Sequence, residues 1–152
     1  MNIGDIAPDF SLPDQTNRRI SLSESLGTGG LVVFFYPKDG TPLCAKEACA
    51  FRDNYGEFRK YGVNILGISS DSTASHQRFA QDNGLTYPLL HDAGGALRKE
   101  WGVPSSLGIL PGRVTYVLDG SGKVRDIFSS QLEAERHVAN ALAVVRKMAE
   151  EA

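Results

Sequence analysis

A continuous apolar run near the start of the chain limits the fold more than any other feature. Residues 31–36 read Leu-Val-Val-Phe-Phe-Tyr, with no charged residue and many β-branched or aromatic side chains. A strand that faces water on one side alternates apolar and polar residues, so this run predicts a strand that is buried on both faces. Pro37 follows the run and cannot continue a paired strand. The run therefore predicts an α/β fold whose sheet is covered on both sides.

The rest of the chain alternates between patterns typical of helices and of strands. Residues 1–30 are rich in turn-forming residues and predict an irregular segment with a short N-terminal hairpin around residues 14–17. After the buried strand we predict a helix at 41–60, a strand at 63–69, a helix at 72–83, a strand at 87–91, a helix at 96–101, a hairpin of strands at 113–118 and 123–128, and a helix at 132–150. This order predicts a mixed central sheet flanked by helices, as in the thioredoxin fold, within one domain spanning residues 1–152.

Charge and hydropathy exclude several classes of function. The formal net charge is -2 and no basic run is present, so the chain has no electrostatic attraction to nucleic acid or to an anionic membrane. The apolar run is far too short to cross a bilayer, and the first ten residues lack the pattern of a secretory signal. We therefore expect a cytoplasmic protein that binds neither nucleic acid nor membrane.

The two cysteines, Cys44 and Cys49, indicate redox chemistry or metal binding in a compartment that keeps thiols reduced. A zinc site needs about four ligands. The sequence has no second pair of cysteines, and its three histidines share no spacing and are expected to be ordinary surface or core residues. We therefore expect no metal site, which leaves thiol chemistry.

Cys44 occupies a position that favours an anion. If Thr41 caps the helix and Pro42 is its first residue, Cys44 is the third, where unpaired backbone N–H groups and the helix dipole attract negative charge. The thiolate is the reactive form of a cysteine, and lowering a cysteine pKa from about 8.5 to about 6 takes about 3.4 kcal/mol, whereas a helix end supplies about 2 kcal/mol at most. We expect a cation, an arginine, to supply the remainder. The Thr41 hydroxyl is expected to accept from the helix and to donate its proton to the sulfur or to an oxygen of a bound substrate.

The residues around the first cysteine resemble a known family. They match the P-x-x-x-T-x-x-C active-site motif of peroxiredoxins with Pro37, Thr41 and Cys44. The spacing from Cys44 to Cys49 resembles that of the peroxiredoxin Q group, also called bacterioferritin comigratory protein. Residues 4–15 and 112–119 look like the N-terminus and the arginine-bearing strand of that family. The resemblance covers nearly the whole chain.

The resemblance implies a thioredoxin fold and a cofactor-free thiol peroxidase that reduces hydrogen peroxide and organic hydroperoxides. Cys44 would attack the peroxide and become a sulfenic acid, and Cys49 would resolve it as an intramolecular disulfide that thioredoxin reduces. The substrate would be bound by Cys44, Thr41 and Arg113. Thr41 would hold the peroxide, Arg113 would stabilise the thiolate and polarise the peroxide, and Pro37 would shield the site from water. A resolving cysteine in the same chain also implies a monomer.

Two residues of the motif region, and the function itself, allow more than one interpretation. Glu47 either orients a polar neighbour or is an ordinary solvated helix residue. Ala45 stands where the group often carries threonine, which puts one local hydrogen bond in question. A thioredoxin-type disulfide exchanger and a non-enzymatic redox-sensing module are the alternative functions, although the exchanger would normally use a C-x-x-C motif. Activity on protein disulfides without peroxide consumption would favour the exchanger, and slow turnover with a stable disulfide would favour the sensing module.

Helix geometry adds a mechanical consequence. Residues five apart on a straight α-helix differ by about 7.5 Å in rise and about 140° in rotation, so their Cα atoms are about 8.6 Å apart. A disulfide needs Cα atoms within about 7 Å of each other and converging Cβ directions. Cys44 and Cys49 therefore cannot bond while the helix is intact, and we predict that its first turns unwind in every catalytic cycle.

Overall fold

A five-stranded mixed sheet forms the centre of the fold and confirms the predicted class. The computed structural model describes residues 1–106 and 110–152. The strands are β1 Ser11–Pro13, β2 Arg19–Ser21, β3 Gly30–Phe35, β4 Val63–Ser69, β5 Leu89–His91, β6 Ser105–Ser106, β7 Leu110–Pro111, β8 Val114–Leu118 and β9 Val124–Ser129. The helices are α1 Leu22–Ser25, α2 Pro42–Asp53, α3 Tyr55–Lys60, α4 Thr73–Asn83, α5 Ala96–Trp101 and α6 Ala134–Glu151.

The strand order of the central sheet is β5-β4-β3-β8-β9. Strands β3, β4 and β5 are parallel, and β8 pairs antiparallel with both β3 and β9. The β3–β8 register places Phe35 opposite Val114. The chain therefore leaves β3 and enters β8 at the same edge of the sheet, where α2 also begins.

The apolar run forms the middle strand of this sheet, as predicted. All six residues of β3 are buried, and alternate side chains enter two separate cores. On one face Phe34 stacks on Phe51 of α2 with 4.5 Å between ring centroids. On the other face Phe35 lies 5.5 Å from Trp101 of α5. The absence of alternation in the sequence thus reflects apolar cover on both sides of the strand.

The prediction of one helix over residues 41–60 is wrong in one respect, because this segment forms two helices. α2 ends at Asp53 and α3 begins at Tyr55. Asn54 between them leaves the helical region with φ -102° and ψ 4°, and its side-chain amide donates to the carbonyl of Ala50 at 2.8 Å. A short polar side chain that bonds its own backbone competes with the helix, which explains the break.

The N-terminal hairpin of β1 and β2 is confirmed, whereas helix α1 and the short strands β6 and β7 were not predicted. Helix α1 follows β2 directly and begins with a capping box in which Ser21 and Glu24 each bond the other's backbone N–H. The two-residue strands β6 and β7 form a separate antiparallel ladder. Elements of two to four residues carry too little periodicity to be recognised in a sequence.

Helix α6 is the longest helix, and it packs against α2 and against strands β8 and β9. It starts at Ala134, two residues later than predicted, which is within the usual uncertainty of helix ends. Its buried stripe includes His137 and Val138. Across the described ranges, no helix combines the length and the apolar character needed to cross a bilayer.

Candidate active site

Cys44 lies at the start of α2, at the edge of the sheet where β3 ends. Thr41 is the residue before the helix, with an extended backbone at φ -84° and ψ 147°, and Pro42 is the first helical residue. Cys44 is therefore the third residue of the helix, as predicted, and its side chain is 1% exposed. A buried sulfur at this position meets the unpaired N–H groups and the positive end of the helix dipole.

Arg113 supplies the cation that the sequence required. It immediately precedes β8, and its guanidinium is 3% exposed. Its Nη2 donates to Cys44 Sγ at 3.4 Å, its Nη1 donates to Glu47 Oε1 at 2.7 Å, and its Nε donates to the carbonyl of Gln131 at 3.0 Å. A guanidinium fixed by three different partners is held rigidly against the sulfur. The two groups are 69 residues apart in the chain.

Glu47 is fully buried one turn after Cys44, so its interpretation as a solvated helix residue is wrong. Burial raises the pKa of Glu47 to about 8, and the ion pair with Arg113 opposes that rise. Its Oε2 has no hydrogen-bond partner within residues 1–106 and 110–152, and it lies 3.5 Å from His137 Nδ1. One guanidinium thus hydrogen-bonds two acidic groups, the Cys44 thiol and the buried Glu47 carboxyl.

His137 was not recognised from the sequence as part of this cluster. Its side chain is buried, its Nε2 donates to the carbonyl of Ser130 at 2.7 Å, and its Nδ1 accepts from the Thr115 hydroxyl at 2.8 Å. Burial lowers the pKa of His137 to about 4; the hydrogen bond to Ser130 opposes this shift, and nearby Arg113 adds a smaller lowering. The imidazole is therefore neutral at pH 7. No spacing in the sequence links residue 137 to residue 47, because α6 packs on α2 only in the tertiary structure.

We expect the free energy of unfolding to depend less on pH below pH 6.5 when His137 is replaced by glutamine. Unfolded, the histidine takes up a proton near pH 6.5, whereas folded it stays neutral down to about pH 4. The wild-type free energy of unfolding is therefore undiminished above pH 6.5 and falls by up to about 3 kcal/mol as the pH drops to 4. Urea unfolding at pH 4, 5, 6.5 and 7.5 measures this, with each protein referred to its own value at pH 7.5. Parallel curves for the two proteins would contradict the prediction.

A pocket of about 400 Å³ opens above the sulfur. Its lining includes four of the five predicted site residues and an exposed leucine on the rim; the full set is Pro37, Thr41, Pro42, Leu43, Cys44, Arg113, Gln131 and Leu132. Most of this wall is apolar, and the polar groups lie at its base. Such a pocket admits a small molecule to the sulfur while limiting the water around it.

Thr41 lies where it was predicted, but it makes different hydrogen bonds from those predicted. Its hydroxyl donates to the carbonyl of Lys38 at 2.9 Å, and it makes no side-chain capping bond to α2. The expectation that its oxygen accepts from the helix is therefore wrong, and its proton goes to Lys38 rather than to the sulfur. Donation to an oxygen of a bound substrate stays a prediction. The bond to Lys38 instead ties Thr41 to its own loop. The hydroxyl oxygen therefore accepts no hydrogen bond from the N–H groups of α2.

Cys49 does not line the pocket above Cys44. It is partly exposed on a separate groove of about 660 Å³ between α2 and α6, and its Sγ donates to Asn83 Oδ1 at 3.5 Å. Both cysteines are free thiols, and α2 is continuous from Pro42 to Asp53. The two sulfurs thus face different sides of an intact helix, as the predicted geometry requires.

We expect the first turns of α2 to lose hydrogen-exchange protection when the Cys44–Cys49 disulfide forms. The helix must unwind to bring Cα atoms from about 8.6 Å to within about 7 Å, which opens its N–H groups to solvent. Exchange measured by mass spectrometry over residues 42–52 tests this in the reduced and the disulfide states. Strand β4 serves as the internal control. Equal protection of residues 42–52 in both states would exclude the unwinding.

Among the described residues, no group of three or more His, Cys, Asp or Glu side chains is arranged to hold a metal ion. The chemistry that the arrangement supports is that of a buried thiol. The sulfur has a helix N-terminus on one side, a guanidinium on the other and a small apolar pocket in front of it.

Comparison with known proteins agrees with this chemistry. Residues 3–127 match the AhpC/TSA family. A relative from rice, Oryza sativa subsp. japonica, named chloroplastic peroxiredoxin Q, is 48% identical over 146 residues, which are 95% of this chain and 67% of the relative. The crystal structure of peroxidoxin BcpB from Mycobacterium tuberculosis has a TM-score of 0.90 and 42% identity, and the match covers 97% of each chain. The bacterioferritin comigratory protein of Xanthomonas campestris, whose structural study concerns alkyl peroxide reduction, has a TM-score of 0.84 and 29% identity over 92% of each chain.

Proposed function

This chain belongs to the AhpC/TSA family and is a peroxiredoxin, a thiol peroxidase, and on that premise we propose that Cys44 attacks the peroxide and Cys49 resolves the product. One observation carries the assignment of Cys44. Its sulfur accepts from Arg113 Nη2 at 3.4 Å at the base of the pocket that Pro37 and Thr41 line. Cys49 lies outside that pocket and is the only other thiol in the sequence.

The proposed first step is attack of the Cys44 thiolate on the nearer oxygen of a peroxide. The S–O bond forms as the O–O bond breaks, and the leaving oxygen takes a proton and departs as water or an alcohol. Cys44 is thereby oxidised to a sulfenic acid, and the peroxide gains two electrons. Arg113 stabilises the thiolate before attack and the negative oxygen during it. Thr41 holds the peroxide through its hydroxyl, and Pro37 keeps water from the sulfur.

The proposed second step joins the two cysteines. The Cys49 thiol attacks the Cys44 sulfur, the S–S bond forms, the S–O bond breaks, and the hydroxyl leaves as water. A dithiol reductant then restores both thiols by exchange and leaves with the disulfide. We propose thioredoxin as that reductant, since the family comparison favours a thioredoxin-type donor and Cys49 is partly exposed to a protein partner. The comparisons favour this peroxidase cycle over the disulfide exchanger and the sensing module.

We further propose that residues 1–152 act as one domain, as a monomer and in the cytoplasm. Both catalytic thiols belong to one chain, so the cycle is complete without a second copy. A reducing compartment suits two free thiols. The name of the rice relative assigns that protein to the chloroplast, so subcellular fractionation is the test of compartment here. Light scattering of the reduced and oxidised protein tests the monomer.

We expect Cys49→Ser to consume about one equivalent of peroxide and then stop. The pocket, Arg113 and Cys44 are unchanged by this substitution, so attack proceeds, but the sulfenic acid has no partner in the chain. The measurement is the amount of peroxide consumed per protein chain, first without reductant and then with thioredoxin and its reductase. Wild-type protein with the same reductants is the control and should turn over continuously. Continued fast turnover of the variant with thioredoxin would contradict the assignment of Cys49.

A further inference from the structure

A largely buried polar cluster joins the loop between β3 and α2 to helix α4. Asp39 in this loop accepts three hydrogen bonds on its carboxylate: from the Tyr36 hydroxyl at 2.6 Å, from the Ser75 hydroxyl at 2.9 Å and from His76 Nδ1 at 2.7 Å. The side chains of His76 and Asp39 are 0% and 5% exposed. We call these four residues the Asp39 clasp. Among the described residues none of the four hydrogen-bonds Cys44 Sγ, and the catalytic steps above do not use them.

The hydrogen bonds fix where the protons of the clasp are. His76 Nε2 lies 2.9 Å from the carbonyl oxygen of Leu90, which only accepts, so Nε2 carries a proton. If the imidazole were neutral, Nδ1 would be an acceptor facing a carboxylate oxygen at 2.7 Å, and two lone pairs would meet. A proton therefore lies between His76 Nδ1 and Asp39. The Asp39 carboxylate thus accepts from a ring N–H and from two hydroxyls.

The Tyr36 bond supports this arrangement. Burial, and then the neighbouring Asp39, raises the pKa of Tyr36 well above its ordinary value. The phenol therefore keeps its proton and donates it to Asp39. A further bond leaves from the backbone of the same residue, since the N–H of Asp39 donates to Asp71 Oδ2 at 2.8 Å. Residue 39 is thus held to the end of β3, to the segment before α4 and to α4 itself.

The clasp holds the segment that positions the reactive groups. Asp39 is two residues before Thr41 and five before Cys44. Thr41 is tied to the carbonyl of Lys38 in the same loop, at 2.9 Å, rather than to the helix. The position of Thr41 and the start of α2 therefore depend on how the loop is anchored, and Asp39 provides the buried anchor.

We propose that Asp39 and His76 are positioning residues that hold this loop in the geometry for peroxide attack and oppose the unwinding needed for the Cys44–Cys49 disulfide. The proposal rests on the proposed function. It assigns the clasp two opposite effects. An intact clasp favours attack, because Thr41 and Cys44 are fixed, and it delays resolution, because residues 39–44 cannot move. A delayed resolution leaves the sulfenic acid exposed to a second peroxide and to sulfinic oxidation.

Two substitutions of His76 separate this role from simple packing. In His76→Gln the side-chain amide reaches the place of Nε2 and keeps the bond to Leu90, but it loses the donor to Asp39. In His76→Asn the amide nitrogen takes the place of Nδ1 and keeps a donor to Asp39, but it loses the bond to Leu90. Both variants remove a buried imidazole. Only His76→Gln opens the clasp.

We expect the two variants to differ in rates rather than only in stability. For His76→Gln, attack of Cys44 on hydrogen peroxide should slow about tenfold, the equivalent of one hydrogen bond to a charged group. Its disulfide should form faster, and the sulfinic fraction per turnover should fall about threefold or more. His76→Asn should stay within about threefold of wild type in both quantities. Rapid quenching with intact mass measurement gives the sulfenic, disulfide and sulfinic fractions over time.

A control variant and a milder variant complete the experiment. Asp92→Asn perturbs another buried carboxylate, which accepts from the N–H groups of Leu97 and Arg98, and it should leave both rates at wild-type values. If His76→Gln does not fold, Ser75→Ala removes one donor to Asp39 and should move both rates in the same directions by a smaller factor.

Equal changes in His76→Gln and His76→Asn, or wild-type rates in His76→Gln or Ser75→Ala, would overturn the proposal. A wild-type protein that forms no sulfenic acid or disulfide would instead overturn the assignment of Cys44.

Discussion

Replacement of Cys44 by serine is expected to lower peroxide turnover at least about a thousandfold, to the rate without enzyme. A serine hydroxyl has nearly the same size but is almost fully protonated at neutral pH, so it is not a nucleophile without a general base. The group that touches position 44 is the Arg113 guanidinium, which only donates. The rigid cation that stabilises a thiolate thus cannot activate an alcohol.

The measurement is the initial rate of NADPH oxidation with thioredoxin, thioredoxin reductase and hydrogen peroxide. Circular dichroism should show an unchanged fold, since the substitution keeps the volume of a side chain that is 1% exposed. Cys49→Ser is the matched control, because it removes the other thiol and should still react once. The roles of the two cysteines would be reversed by the opposite result. In that case Cys44→Ser would consume peroxide and Cys49→Ser would not react even once.

The second large effect is expected for Arg113→Met, which should lower the rate of attack by about a hundredfold to a thousandfold. Methionine fills most of the space but provides neither the charge nor the donor that faces the sulfur at 3.4 Å. The variant should also lose about 3 kcal/mol of unfolding free energy, because Glu47 remains buried without its partner. Stopped-flow oxidation and urea unfolding measure the two quantities separately.

The double variant Arg113→Met with Glu47→Met distinguishes catalysis from stability. A buried ion pair replaced by two apolar side chains of similar volume is often neutral for stability, so about 1 kcal/mol or more of the loss should return. The rate of attack should stay low, because the sulfur still lacks its cation. Recovery of the rate together with the stability would mean that Arg113 acts only by holding the fold together.

The local segments that carry the chemistry could be predicted from the sequence. The buried strand, its stop at Pro37 and the helix start at Thr41-Pro42 are decided by neighbouring residues, through the backbone limits of proline and the apolar pattern. These features place Cys44 third in a helix and require a cation near it. They also show that Cys49 is too far along the same helix for a disulfide. The break of this helix at Asn54 depended on one side-chain bond and was missed.

The tertiary structure alone decided what surrounds the sulfur. Arg113 meets Cys44 because β8 pairs with β3, and Glu47 is buried because the guanidinium and α6 close over it. His137 and the Asp39–His76 pair are likewise brought together by packing between elements that are far apart in the chain. Local patterns such as a helix start are fixed within a few residues, whereas the pairing of buried charges depends on contacts across the fold. Local sequence thus fixes the position of the proposed nucleophile, whereas the charges around it depend on long-range packing.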